Sequence, residues 1–354
     1  MVGSRGNAPC GDVEKHRRFS GANASHAKTS QERKPKAQCD WMTLTAGRSP
    51  NKRNDMEKTV TIALDENYAA HAAAVMAGVA LNAGGQVDFY LLGDKLKEET
   101  KEKLIATGEK FSSKVFVVEA KAGEFFVSDH LSRAAYLRLK IPELLPKTLK
   151  CTVYLDADLL VISDISELFE TDLAGKPLGA AIDLGIMTSS RQMKEKQESL
   201  NIQKSDKYFN SGVLVIDLDK WRENSYASKL LELVKLNSFR HHDQDALNMF
   251  FYNNWHEIPL CYNVIPPIYE MPLKVVFSKY AKIAAEALKT AKIIHYAGGH
   301  KPWHYNRTEG FNDIYYDYLA MTPFKVGAVK ENTFRKLRER LRLYRGKFWA
   351  SALS

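Results

Sequence analysis

Residues 59–92 read TVTIALDENYAAHAAAVMAGVALNAGGQVDFYLL, a pattern of strand, helix and second strand. The β-branched run Thr59–Leu64 predicts the first strand, and small and apolar residues recur at helical spacing through His71–Leu81. The Asn and Gly residues that come next are typical of a helix end, and Val87–Leu92 predicts the next strand. Two strands joined by a helix in this way are expected to lie parallel in one sheet.

The same alternation continues through the rest of the chain. We predict helices at Lys95–Ala106, Tyr226–Lys235 and Asp243–Phe251, and further strands at Val115–Val118, Thr152–Leu155, Leu178–Ile182, Gly212–Ile216 and Lys292–Tyr296. Neither an internal repeat nor a change of composition interrupts residues 57–325. The alternation therefore predicts one α/β domain, whose parallel sheet carries helices on both faces and binds ligands beyond the carboxyl ends of its strands.

The composition is that of an ordinary soluble domain, since 45% of the 354 residues are hydrophobic and 26% are charged. The net charge of +9 is uneven: residues 1–55 contain 11 Lys and Arg against 5 Asp and Glu, and residues 333–354 contain 7 against 1. The stretch between them is left with a net charge of −3. A mildly acidic body argues against nucleic acid as a partner.

The basic N-terminal stretch, residues 1–55, has few aliphatic residues and no periodicity. It is predicted to be a disordered extension that is extraneous to the domain. No apolar run in the chain reaches 18 residues, and no apolar signal-peptide core lies near the N-terminus. We therefore expect a cytoplasmic protein.

Residues 326–354 form a basic C-terminal tail with an amphipathic pattern. Aromatic and leucine side chains recur there at spacings of 3 and 4 and would share one helical face: Phe334, Leu337, Leu341, Tyr344 and Phe348. Such a face surrounded by Lys and Arg predicts peripheral binding to an anionic membrane surface, on the inner face of the cell membrane. The alternative is a last helix that packs on the body and exposes its basic side.

The strongest local motif is Val153-Tyr154-Leu155-Asp156-Ala157-Asp158, which is followed by the apolar run Leu159–Ile162. If the chain is extended here, Asp156 and Asp158 point the same way at the end of a buried strand. Two carboxylates in that position suit Mn²⁺ or Mg²⁺. The alternative is a solvated turn, although two unpaired charges beside apolar residues would be costly without a cation.

A second motif covers residues 293–303, IIHYAGGHKPW. His295 ends a predicted strand and could add an imidazole ligand, a combination that favours Mn²⁺ over Ca²⁺. Gly298 would let the backbone approach a phosphate, and Lys301 would bring a positive charge to it. The alternatives are that His295 is a core histidine with its hydrogen bonds satisfied, that Gly298 belongs to an ordinary turn and that Lys301 is a surface lysine.

Polar residues also end or begin several other predicted elements. They are Asp65, Asn67 and Tyr68 after the first strand, Asp183 after the strand at 178–182, Asn210 before the strand at 212–216, and Asp243 and Gln244 at a helix start. Asp243 alone could be a helix cap. Together these residues are expected to line one crevice at the strand ends.

In this order, the motifs resemble glycosyltransferase family 8. The residues that carry the resemblance are 63–68 (ALDENY), 136–139 (YLRL), 154–158 (YLDAD), 209–212 (FNSG), 242–245 (HDQD), 295–296 (HY) and 301–303 (KPW). The resemblance implies a single GT-A domain at 57–325, with a mixed, mostly parallel sheet. It also implies a retaining hexosyltransferase that moves galactose or glucose from a UDP-sugar to a glycan or lipid-linked acceptor in bacterial lipopolysaccharide synthesis.

The resemblance also implies roles for single residues. Asp156, Asp158 and His295 would bind Mn²⁺, with Mg²⁺ as the alternative, and Asp65, Asn67, Tyr68, Gly298 and Lys301 would hold the nucleotide. The donor sugar would be lined by Arg138, Asp183, Asn210, Asp243 and Gln244. Because the amide of Gln244 is a poor nucleophile, we expect a front-face mechanism for retention.

Two other functions are compatible with parts of the sequence. A metal-dependent nucleotidyl- or phosphotransferase could use the same carboxylates, but residues 65–70 contain no glycine for a phosphate loop. A nucleic-acid-binding protein would fit the pI of about 9.1, but the basic residues lie in the two ends of the chain.

Overall fold

The computed structural model describes residues 57–120, 133–203, 207–270, 279–299, 301–303 and 311–325. The predicted extension at 1–55 and the predicted tail at 326–354 lie outside the described residues. Among the helices of the described ranges, none combines the length and the apolar character that a bilayer crossing requires.

The strands, in chain order, are β1 (Thr59–Asp65), β2 (Asp88–Asp94), β3 (Val115–Glu119), β4 (Cys151–Leu155), β5 (Leu159–Val161), β6 (Leu178–Ile182), β7 (Phe209–Asp217), β8 (His256–Glu257) and β9 (Ile293–His295). Seven of them form one sheet in the order β3-β2-β1-β4-β7-β6-β8. Strand β7 is antiparallel to both of its neighbours, and the other paired strands of this sheet are parallel. The mixed, mostly parallel sheet of the prediction is confirmed.

The helices are α1 (Ala69–Asn82), α2 (Glu98–Lys110), α3 (Ile141–Leu144), α4 (Ser166–Phe169), α5 (Leu184–Met187), α6 (Ser190–Leu200), α7 (Leu218–Glu223), α8 (Tyr226–Leu236), α9 (His242–Phe250), α10 (Pro266–Glu270), α11 (Ala281–Lys289) and α12 (Asn312–Ala320). Short 3₁₀ helices lie at Glu66–Tyr68, Arg133–Lys140 and Leu260–Tyr262.

Two apolar clusters cover the two faces of the sheet. Val60, Ile62 and Leu64 of β1 pack with α1 on one face, and Tyr154 and Leu214 pack with α7, α8 and α9 on the other. Strand β1 is buried along its length up to Leu64, as a central strand with helices on both faces must be. The predicted helices on both faces are therefore present.

The antiparallel strand β7 brings its start beside the end of β4. Leu155 pairs with Val213, and the backbone N–H of Asp156 donates to the carbonyl of Gly212 at 2.9 Å. On the other side of β7, Ile182 at the end of β6 pairs with Phe209. The polar residues at the ends of β4 and β6 therefore lie close to the polar residues at the start of β7.

Strands β5 and β9 form a separate antiparallel pair outside the main sheet. The predicted late strand at 292–296 corresponds to β9, whereas β5 was not recognised as a strand. Leu159 pairs with His295, directly after the turn that contains Asp156 and Asp158. This two-stranded ribbon places His295, in the motif at 293–303, beside the motif at 153–158.

Candidate active site

Asp156 directly follows β4 and the chain turns at Ala157 and Asp158 before β5, so the prediction of an extended chain through Asp158 was wrong. The chain bends because β5 leaves the main sheet to pair with β9. The two carboxyl side chains are only 19% and 14% exposed, which also excludes a solvated turn. The bend, rather than strand alternation, makes the two carboxylates converge.

His295 completes a cluster of three potential metal ligands. One ligand atom from each of Asp156, Asp158 and His295 lies within 4.8 Å of the others. His295 Nε2 is 3.3 Å from Asp158 Oδ1 and 3.9 Å from Asp156 Oδ2. Two carboxylates and one imidazole are a suitable donor set for a divalent cation.

Asn263 orients the imidazole of His295. Its Oδ1 lies 2.9 Å from His295 Nδ1, and its Nδ2 donates to Asn210 Oδ1 at 2.9 Å. Because an amide oxygen can only accept, this pattern assigns the imidazole proton to Nδ1. When the ring carries only this proton, as a metal ligand must, the lone pair of Nε2 is directed toward the two carboxylates; when a second proton sits on Nε2, it pairs with Asp158 instead.

Gly212 allows β7 to approach this cluster closely. A Cβ atom at this position would collide with the imidazole of His295 and lie 3.0 Å from Asp156 Oδ2. No larger side chain fits there without moving the potential ligands.

Arg138 joins the cluster to helix α9. Its Nη2 lies 2.7 Å from Asp156 Oδ1 and its Nε lies 3.1 Å from Asp243 Oδ2. Burial would lower the pKa of the Arg138 guanidinium, but the two carboxylates outweigh this and raise the pKa. Tyr154 Oη also donates to Asp156 Oδ1 at 2.7 Å, so Oδ2 is the oxygen left facing His295.

Asp243 lies inside α9 and accepts from Ser211 Oγ at 3.2 Å. The N-cap position of the helix is taken by His241, so the alternative that Asp243 is only a cap was wrong. Burial raises the pKa of the Asp243 carboxyl to about 6, although Arg138 partly offsets this effect.

Lys301 is buried and pairs with Asp158 through its Nζ, which also donates to the carbonyl of Tyr296 at 2.6 Å. Burial alone would raise the pKa of Asp158, but Lys301 and His295 hold it well below its usual range. The surface-lysine alternative is therefore wrong. Gly298 nearby has a φ of +81°, a left-handed conformation that favours glycine.

Asp183, Asn210 and Gln244 form a second connected group. Asp183 Oδ2 accepts from Asn210 Nδ2 at 3.0 Å and from Gln244 Nε2 at 3.1 Å. Gln244 Oε1 accepts from the backbone N–H of Ser211 at 3.0 Å. Because Asn210 also bonds Asn263, this group is continuous with the potential metal ligands.

Asp65, Asn67 and Tyr68 lie together at the carboxyl end of β1. Asp65 Oδ1 accepts from the backbone N–H groups of Asn67 and Tyr68 at 3.0 and 3.1 Å, which caps the 3₁₀ helix. The ring of Tyr68 stands edge-on to Trp303, with 6.1 Å between ring centroids. Burial and the carboxylates of Asp158 and Asp65 raise the pKa of Tyr68. Their predicted contacts with a nucleotide remain predictions.

Several residues of the site were not identified from the sequence. Asn263 comes directly after a 3₁₀ helix and has no motif around it. Lys196 had a detectable signal, because it shares one face of α6 with the buried Met193 and Leu200. Its partners Asp245 and Tyr208 are also buried.

A mixed, mostly parallel sheet with this cluster at its strand ends has the GT-A fold. The profile named "Glycosyl transferase family 8" matches residues 59–307. The chain belongs to glycosyltransferase family 8, and the resemblance inferred from the motifs is confirmed.

Curated relatives agree with this assignment, and solved structures share the fold. General stress protein A of Bacillus subtilis is 29% identical over 77% of this chain and 97% of its own length. Lipopolysaccharide 1,2-glucosyltransferase of Escherichia coli K12 is 28% identical over 69% of this chain and 72% of its own. The galactosyltransferase LgtC, solved with donor and acceptor sugar analogues, shares the fold with a TM-score of 0.66 at 24% identity, over 75% of this chain and 97% of LgtC. The bifunctional WbbM gives a TM-score of 0.65 at 24% identity, over 77% of this chain and 51% of WbbM.

Proposed function

We propose that the protein is a metal-dependent, retaining hexosyltransferase. It moves galactose or glucose from a UDP-sugar to a hydroxyl of a glycan or lipid-linked acceptor. The observation that carries this proposal is the convergence of Asp156, Asp158 and His295 within 4.8 Å at the strand ends, in a chain of family 8.

The residues present fit a divalent cation. Asp156 Oδ2, an oxygen of Asp158 and His295 Nε2 would hold it, because Asp156 Oδ1 is already engaged by Arg138 and Tyr154. The mixture of oxygen and nitrogen donors favours Mn²⁺, with Mg²⁺ as the alternative. When bound, the cation would offset the negative charge that develops on the diphosphate as the sugar bond breaks.

Lys301 supplies a second positive charge to the same place. Its side chain is long and its ammonium is a compact donor, so it can exchange Asp158 for a diphosphate oxygen once a nucleotide is present. Arg138 remains fixed between Asp156 and Asp243 and keeps both carboxylates in place.

The hydrogen bonds of Gln244 support a front-face route to retention. Its Oε1 accepts from Ser211 N, and its Nε2 donates to Asp183 Oδ2 and Tyr208 Oη. The amide is therefore engaged in positioning rather than available as a nucleophile. The acceptor oxygen would bond to the anomeric carbon while the bond to the diphosphate oxygen breaks on the same side, and the hydroxyl proton would pass to a diphosphate oxygen. The carboxylate of Asp183 would offset positive charge on the sugar ring.

The acceptor and the location of the enzyme are proposed from the relatives and the sequence. Two relatives at 28% and 26% identity are lipopolysaccharide 1,2-glucosyltransferases, which supports a role in cell-surface polysaccharide synthesis. We propose a cytoplasmic enzyme held at the inner face of the membrane by residues 326–354, with no nucleic-acid partner.

UDP release from a panel of UDP-sugars, with Mn²⁺, with Mg²⁺ and with chelator, tests the proposal. We expect turnover of UDP-galactose or UDP-glucose that chelator abolishes and Mn²⁺ restores. Absence of UDP release from every donor, or release that chelator does not affect, would contradict the proposed function.

A further inference from the structure

Lys196 is a fully buried lysine on α6, a helix that contains none of the motif residues. Its side chain is 0% exposed, and its Nζ lies 2.8 Å from Asp245 Oδ2, whose side chain is 2% exposed. Lysine is almost never fully buried unless it is paired. Since a hydrophobic pair of similar volume is often as stable, packing alone does not account for this charge pair.

The pair is connected to Gln244 through Tyr208. Tyr208 Oη donates to Asp245 Oδ1 at 2.6 Å and lies 3.3 Å from Gln244 Nε2. Asp245 Oδ2 also accepts from the backbone N–H of His241 at 2.8 Å. Four side chains, from Lys196 to Gln244, therefore form one chain of polar contacts.

The direction of each hydrogen bond in this chain follows from the ionised carboxylate of Asp245, with which Lys196 pairs. Burial would raise the pKa of Asp245, but His241, Lys196 and Tyr208 together lower it, so the carboxylate stays ionised and can only accept. The single proton of Tyr208 Oη must then point to Asp245, which leaves an oxygen lone pair facing Gln244. The Gln244 amide accordingly places Nε2 toward Tyr208 and Oε1 toward Ser211 N.

We propose that Lys196 is a positioning residue for sugar transfer: it keeps Asp245 acceptor-only, and through Tyr208 it holds the Gln244 amide in one orientation beside Asp183. This inference rests on the proposed function, in which Asp183 and Gln244 line the donor sugar. It assigns a role to α6, because Lys196 links this helix to the residues that would line the donor sugar.

Kinetics of two variants test the positioning role. Lys196→Met removes the charge and keeps most of the stem, whereas Tyr208→Phe keeps the Lys196–Asp245 pair and removes the hydroxyl. For both, we expect kcat with the UDP-sugar to fall on the order of ten- to a hundred-fold. The Kd for UDP and the Mn²⁺ requirement should change by less than about twofold, because Asp183, Asn210 and Asn263 separate Gln244 from the potential metal ligand His295.

Lys194→Met is the matched control, since Lys194 lies on the same helix with its side chain 76% exposed. It should leave kcat unchanged. A purely structural role would instead lower the melting temperature of Lys196→Met and leave kcat of both variants close to that of the wild type, which would overturn the proposal.

A second readout does not depend on activity. The side-chain amide ¹⁵N–¹H resonances of Gln244, assigned by their loss in Gln244→Glu, report whether the amide keeps its partners. We expect them to shift in Lys196→Met and Tyr208→Phe but not in Lys194→Met. Unmoved resonances in both variants would refute the positioning role. If the wild type releases no UDP from any donor, the proposed function fails, and these resonances alone decide whether Lys196 orients Gln244.

Discussion

Single residues of this site have competing partners, and Lys301 is the clearest case. Its Nζ pairs with Asp158, which is also a potential metal ligand. A lysine and a divalent cation that share one carboxylate oppose each other electrostatically. Lys301 is therefore expected to weaken cation binding until a diphosphate draws it away.

Lys301→Met tests this competition. In the absence of nucleotide, the variant should bind Mn²⁺ at least as tightly as the wild type, because Asp158 is no longer neutralised. UDP-sugar turnover should nevertheless fall on the order of 10² to 10³. Mn²⁺ binding can be followed by the EPR signal of the free ion, with the exposed Lys207→Met as a control. Weaker Mn²⁺ binding by Lys301→Met would contradict the competition.

Asp243 makes the stability of the protein depend on pH. Its carboxyl has a raised pKa of about 6 against an ordinary 3.8, so between these values the folded state holds a proton that the unfolded state releases. The free energy of unfolding should therefore fall as the pH rises from about 4 to about 6, by about 3 kcal/mol at most. Asp243→Asn cannot titrate and should lack this component.

Urea unfolding of the wild type and Asp243→Asn at several pH values provides the measurement. Groups with lowered pKa values, such as Asp158 and Asp245, lose their stabilising effect only as the pH falls, and they are present in both proteins. Their contribution to the free energy of unfolding is therefore the same in both proteins and cancels when one value is subtracted from the other. A difference in unfolding free energy that does not vary with pH would show that Asp243 titrates normally.

At the scale of elements, the site depends on the β5–β9 ribbon and on the loop residue Asn263 beside it. Strand β9 brings His295 next to the turn after β4, and Asn263 fixes the ring. Neither part lies in the main sheet. Because they position His295, the ribbon and Asn263 are expected to control metal affinity.

Asn263→Ala removes the hydrogen-bond partner of His295 Nδ1. We expect the affinity for Mn²⁺ to fall on the order of ten- to a hundred-fold, since partners of metal-bound histidines have effects of this size. Isothermal titration measures it, and Asn237→Ala, at an exposed position, serves as the control. Unchanged affinity would show that His295 needs no such partner.

These elements also show how much the sequence could reveal. The strands and helices from β1 to α2 were predictable, because the periodicity of a strand or a helix can be recognised within a short stretch of consecutive residues. So was the set of polar residues at strand ends, because each lies next to a recognisable apolar run. The turn at Asp156–Asp158 and the position of Asn263 were not, since both depend on pairing between distant segments. Lys196 was missed although it shares a face with Met193 and Leu200, because α6 is mostly polar and its partner Asp245 is distant in the sequence.

At the scale of the whole molecule, charge is divided between an acidic body and basic ends. The stretch between residues 55 and 333 has a net charge of −3, while residues 333–354 carry 7 Lys and Arg against 1 acidic residue. A lipid-linked acceptor would be reached more easily by an enzyme held at the membrane. The proposed membrane role of residues 326–354 rests on this distribution.

Deletion of residues 333–354 should abolish co-sedimentation with phosphatidylglycerol vesicles at low salt. Each cation near an anionic surface contributes about 1 kcal/mol, so the loss should be nearly complete. Phosphatidylcholine vesicles are the control and should bind neither protein. Equal pelleting of the full-length and truncated forms, or no pelleting of either, would argue for a soluble acceptor.

The central claim is that Asp156, Asp158 and His295 hold the cation on which UDP-sugar turnover depends. Its most direct test is Mn²⁺-dependent UDP release by Asp158→Asn and His295→Ala, with Asp172→Asn as the control at an exposed loop position. We expect both site variants to lose on the order of 10² to 10³ in rate and to need more Mn²⁺, with circular dichroism unchanged. Turnover and Mn²⁺ dependence equal to those of the wild type in both variants would contradict the claim.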